Sequence, residues 1–205
     1  MTTVVLGSLA PLAGLDLAAA GVGDARDAVV VGTAAVYTGI DHAIDQLAAP
    51  LAELGFVLEV LAVADRRASA DEALAARIAR CDLAVLAPGS ALHARQVWRD
   101  SAVGRALAEV PLLAIGEVAT VLGETMVDPR GGAPTIGLGW RRGAVITRPA
   151  GEDQLRRTRR LLGPRDTLIV LGDDGVVAED GGRWRVVAGS VALLGDEDPP
   201  TPTTR

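Results

Sequence analysis

Four side chains in the middle of this 205-residue chain carry the groups that acyl-transfer chemistry uses. Ser90 and Thr120 offer hydroxyl nucleophiles, His93 a general base, and Glu117 a carboxylate able to orient that base. Ser90 and His93 stand three positions apart, so one helix start would hold both, while Glu117 must come from a neighbouring strand end. Each residue also has a plainer role. A serine just before a helical run caps it, Thr120 falls in a first helical turn, and Glu117 is favoured by the positive end of the helix after it.

Other chemistries have few donors. The two histidines are His42 and His93, and His42 reads as a solvated or capping residue in a first helical turn, so no metal site is expected. The single Cys81 precedes the apolar run Leu83–Leu86, which reads as a thiol packed at the base of a strand rather than a redox group. Gly131-Gly132 lacks the spacing and the lysine of a phosphate-binding loop, so no nucleotide or other cofactor is expected. Arg156, Arg157, Arg159 and Arg160 lie near Leu155, Leu161 and Leu162, as a solvated helix face or an anion contact would.

The formal charge of −6, with basic residues scattered, gives no footprint for nucleic acid or an anionic membrane. No apolar run approaches the roughly 20 residues of a membrane span, and a cytoplasmic location is expected.

These side chains need a scaffold, and the hydrophobic pattern supplies one. Short β-branched runs at about 3–7, 28–33, 56–63, 83–88 and 111–115 alternate with amphipathic stretches at about 40–54, 70–80, 92–108 and 118–124. That alternation predicts a three-layer α/β fold, a mostly parallel sheet flanked by helices as in flavodoxin-like proteins. Aromatics are only 2% of the chain, so Ala, Val, Leu and Ile must build its core. Beyond residue 125 the pattern predicts a loop at 128–132, a strand at 144–147, a helix at 151–162 and a C-terminal β meander over 167–194. Residues 1–195 are expected to form a single domain, with 196–205 as a disordered tail.

In such a sheet, ligands bind beyond the carboxyl ends of the strands. The segments there are Gly32-Thr33-Ala34, Pro88-Gly89-Ser90, Gly116-Glu117-Val118-Ala119-Thr120 and Thr147-Arg148-Pro149. Together with Leu83–Ser90, Val110–Thr120, Gly137-Leu138-Gly139 and Gly189-Ser190-Val191, they resemble the dipeptidase E and cyanophycinase family of serine peptidases, of the class I glutamine amidotransferase-like fold. The resemblance implies a Gly-x-Ser-Ala-Gly elbow after the fifth strand, a base histidine about ten residues past Gly-Leu-Gly, and a Gly-Gly-Asp-Gln turn after the fourth strand. Here Val118 stands at the nucleophile position, Pro149 at the base position, and Pro88-Gly89-Ser90-Ala91 at the pocket wall.

The resemblance therefore implies a catalytically inactive relative that acts as a binding or interaction protein. Gly89, Ser90, Glu117 and Arg148 would be the ligand contacts, and acidic peptides the first ligand class. The alternative is an active serine-type hydrolase of acidic peptides with a relocated nucleophile, Ser90 or Thr120, served by His93. A third is a structural subunit, a homo-oligomer made through the helix faces.

Overall fold

The computed structural model describes residues 1–127, 134–141, 143–148, 151–163 and 166–194. Its first half is βα units: β1 (Thr2–Leu6), α1 (Leu17–Ala20), β2 (Asp27–Val31), α2 (Ile40–Glu53), β3 (Val57–Leu61), α3 (Arg66–Ser69), α4 (Glu72–Ile78), β4 (Leu83–Leu86), α5 (Ala91–Trp98), α6 (Ala102–Ala108) and β5 (Leu112–Ile115). A 3-10 turn, Gly116–Val121, follows β5. The second half contains β6 (Thr125–Met126), β7 (Thr135–Ile136), β8 (Ala144–Thr147), α7 (Glu152–Leu161), β9 (Thr167–Leu171), β10 (Val176–Asp180), β11 (Arg183–Ala188) and β12 (Val191–Leu194).

Seven strands form the main sheet in the order β11-β10-β1-β5-β4-β2-β3, with β1 to β5 parallel and β10 and β11 antiparallel at one edge. Alternation along each strand divides the core. Val5, Val29, Val31, Ala84, Leu86, Leu112 and Ala114 face α4, α5 and α6. Val4, Leu6, Ala28, Val30, Leu83, Val85, Leu113 and Ile115 face α1 and α2. Both faces are apolar because both are covered, which makes the expected three-layer α/β fold.

The C-terminal strands are antiparallel as expected, yet they are shared between sheets. β10 and β11 form a hairpin at the edge of the main sheet, closed by Gly181 and Gly182 at φ 57° and 83°, the left-handed pair a tight two-residue turn requires. A second sheet, β12-β9-β8, has β8 and β9 parallel. Ile169 and Leu171 of β9 pack into the main core, while Leu168 packs with the partly buried Leu155 of α7 and Leu162 just past its end.

Three expected helices differ in detail. The apolar period over 92–108 is cut into α5 and α6, because Asp100 takes a left-handed conformation, φ 55°, and Ser101 caps α6 by accepting from Gly104 N–H at 3.0 Å. The stretch at 70–80 is preceded by the separate α3, with Asp65 capping α3 and Asp71 capping α4. The segment expected as a helix at 118–124 is the 3-10 turn. The tail expected over 196–205 lies outside the described residues.

Candidate functional site

The carboxyl ends of β1, β5 and β4 finish nearly level, with Leu6 beside Ile115 and Leu86 beside Ala114. Glycines follow them and let the loops crowd together. A Cβ on Gly116 would lie 3.7 Å from both Gly7 O and the Pro88 side chain, so the three loops meet at one point. Gly89 runs so close to the loop after β2 that a Cβ there would stand 2.2 Å from Ala34 O. Ser90 N–H in turn donates to that same carbonyl at 2.7 Å, pinning the β4 loop to the β2 loop.

The small sheet joins this rim. Gly7 N–H donates to Gly175 O at 3.0 Å, and the Ser8 hydroxyl donates to Asp173 O at 2.8 Å. Arg148, just past β8, pairs with Asp173, just past the adjacent β9, at 3.5 Å. The rim thus runs from Pro88-Gly89-Ser90 through Gly116-Glu117 and Gly7-Ser8 to Asp173 and Arg148. Ser8 and Asp173 were readable from the same strand-end logic that picked out the other segments, since each directly follows a Gly at a strand terminus.

Each expected catalytic group has a local partner. Ser90 Oγ caps α5, accepting from His93 N–H at 3.3 Å. The His93 ring reaches away from that hydroxyl: Nε2 lies 2.9 Å from Ala64 O, and Nδ1 lies 3.4 Å from the hydroxyl of the exposed Tyr37. Thr120 is 4% exposed, and its hydroxyl donates to Glu117 O at 2.9 Å inside the 3-10 turn. Val118 is fully buried among Val5, Ala114, Ala119 and Leu122. Glu117 and Gly89 are half-buried on the rim, and Arg148 is exposed there. Pro149 lies outside the described residues.

No family model and no curated protein matches the sequence. Solved structures do match. A peptidase from an acI-B1 Actinobacterium superposes with a TM-score of 0.77 at 16% identity, over 95% of this chain and 91% of that one. A candidate Peptidase E protein from Listeria monocytogenes EGD-e superposes with a TM-score of 0.65 at 9% identity, over 95% and 98% of the two chains. The chain shares its fold with these two structures.

Within that fold, the turn after β5 departs from a nucleophile elbow. An elbow lifts one residue out on a strained turn at the top of the sheet. Here the positive φ of 70° belongs to Gly116, and Asp100 is the lone non-glycine with positive φ among the described residues. Val118 therefore has ordinary backbone geometry and serves as a core side chain, which is where a β-branched residue is at ease.

Two recesses lie away from the rim. One, of about 500 Å³, is lined by Trp98, Gly104, Arg105, Glu124, Leu138 and Trp140, with the two indoles stacked at 5.7 Å. The other, about 590 Å³, sits at the amino ends of β2 and β3 beside Glu59, Arg77 and Cys81. Burial pushes the Cys81 thiol pKa up, which leaves it a poor nucleophile. Neither recess is lined by a histidine or a serine. Among the described residues no cluster of His, Cys, Asp and Glu could hold a metal ion, and no helix is long and apolar enough to cross a membrane.

Proposed function

We propose that this chain is a non-catalytic relative of the serine peptidases it resembles, a protein that binds at the strand-end rim without cleaving. The observation that carries this reading is the 3-10 turn after β5, where Val118 is buried and no hydroxyl is presented at the apex. The engagement of Ser90, Thr120 and both His93 ring nitrogens by other groups supports it further. An isolated hydroxyl without a general base is a poor nucleophile near neutral pH.

The ligand class is an acidic peptide, held by Arg148 and by backbone N–H groups of the Gly89 and Gly116 loops, with Glu117 selecting for a free amino group. A fluorophosphonate probe with mass detection tests the reading. No adduct is expected; stoichiometric labelling at Ser90 or Thr120, abolished by His93→Ala, would establish the hydrolase alternative. Thermal shifts with Asp-containing dipeptides test binding at the rim, since a ligand of the native state raises the midpoint. A flat response across that class overturns the binding reading.

A further inference from the structure

The two edges of the main sheet are built differently. β11 is a guarded edge: it carries the exposed Arg183 and Arg185, and its ladder to β10 shifts register between Val176 and Val177. β3, the last strand at the other edge, has no such guard. Its sequence Val57-Leu58-Glu59-Val60-Leu61 contains no proline and no lysine. Its one charge, Glu59, is held by Arg77, which donates from Nε at 2.6 Å. Val57 and Val60 are 68% and 44% exposed.

The ladder fixes which backbone groups of β3 face out. Val57 N–H donates to Arg26 O at 2.8 Å, and β3 runs parallel to β2 with Val57 beside Asp27. Alternation then turns the N–H and C=O groups of Val57, Glu59 and Leu61 toward β2, and those of Leu58 and Val60 outward. Among the described residues these outward groups have no hydrogen-bond partner. An extended strand offers donors and acceptors at that spacing, and this edge is complementary to itself. In an antiparallel pair about a two-fold axis at Glu59, Leu58 exchanges two hydrogen bonds with Val60 of the second copy, and Val60 does the same with Leu58. Val57 then lies across from Leu61 of the second copy. The two Glu59 carboxylates face each other, but with counter-charges in place, because Arg77 and Arg80 line the recess beside them.

We propose that two copies of this chain pair antiparallel through β3 and join their main sheets into one. The contact is separate from ligand binding at the rim, and it places a homo-oligomer at a sheet edge rather than on the helix faces. A strand pair this short is a small interface, so monomer and dimer exchange reversibly with concentration.

Sedimentation velocity of the full chain, from micromolar to near-millimolar protein, tests this. The weight-average mass should rise from 21.0 kDa toward twice that value. Val60→Pro removes a donor that the ladder to β2 does not use, and Val60→Lys guards the edge with a charge. Both should stay monomeric while keeping the parent's far-UV circular dichroism. A parent that is monomeric throughout, or dimers that persist in whichever of the two variants keeps that spectrum, overturns the proposal. A second arm tests the register, since non-hydrogen-bonded antiparallel neighbours stand ~4.5 Å apart at Cα, within the ~4.4–6.8 Å that a disulfide spans. With Cys81→Ser and glutathione disulfide as oxidant, Glu59→Cys should cross-link faster than Asp45→Cys on the exposed face of α2, and adding Val60→Lys should abolish that lead. Faster linkage at Asp45→Cys overturns the proposal in favour of a contact through the helix faces.

Discussion

At the scale of single residues, Val118 is both the position where the family resemblance places a nucleophile and a side chain with no exposure at all. Placing a serine there should therefore not create a site. In Val118→Ser the new hydroxyl replaces buried methyls within a turn that already packs against β5 and α5. Lost burial and a poorly satisfied hydroxyl together cost about 1–3 kcal/mol. Urea denaturation should show that loss while fluorophosphonate labelling stays absent. Labelling of the introduced hydroxyl at a rate comparable to a serine hydrolase would mean that the turn can rearrange into an elbow.

At the scale of elements, the loops at the carboxyl ends are held by small local ties, and one of them titrates. The Ser190 hydroxyl donates to Asp174 at 3.3 Å and its backbone N–H donates at 3.2 Å, joining the turn before β12 to the turn after β9. These bonds hold the Asp174 carboxyl below its usual range, the hydroxyl contributing most. A carboxylate depressed in the folded state supports the fold above the unfolded value of ~3.9, and that support fades as pH falls through the folded value. Ser190→Ala should move the Asp174 titration up toward the ordinary value, as carboxyl ¹³C shifts would record, and leave stability near pH 7 almost unchanged. An unmoved titration would show that the hydroxyl is not the cause.

The sheet strands were legible because burial on both faces leaves near-continuous runs such as Leu83–Leu86 and Leu112–Ile115. The break between α5 and α6 was not, since the apolar period continues through Val97, Trp98, Val103 and Leu107 while the interruption rests on Asp100 and the Ser101 cap. The split of the C-terminal strands between two sheets was equally hidden, because pairing partners are chosen by tertiary contacts that a period of two does not encode. For the rim, the glycine-bearing strand ends were readable, whereas the outward turn of the His93 ring toward Ala64 and Tyr37 is a packing outcome.

At the scale of the whole molecule, Arg141 ties the segment before β8 to the base of the main sheet. It is 3% exposed and binds the Thr3 hydroxyl of β1 through Nε. It also donates to Trp140 O at 2.8 Å, Ala108 O at 3.3 Å and Val110 O at 3.5 Å, and lies 3.7 Å from the Glu179 carboxylate of β10. Burial pushes the guanidinium pKa down, against the opposing pull of Glu179 and Glu109, yet an arginine in this position stays charged. Arg141→Ala strips one partner from a buried ion pair and should cost about 3–5 kcal/mol. With ~2–4 °C lost per kcal/mol in a domain of this size, the melting temperature should drop by roughly 6–20 °C. Buried ion pairs can often be replaced by apolar groups at little cost, but here three backbone carbonyls would also lose their donor. The double variant Arg141→Met with Glu179→Gln should therefore stay about 1–3 kcal/mol below the wild type. Calorimetry of both variants checks this: a double variant as stable as the parent would show that the carbonyls find other donors and that Arg141 matters only as the counter-charge of Glu179.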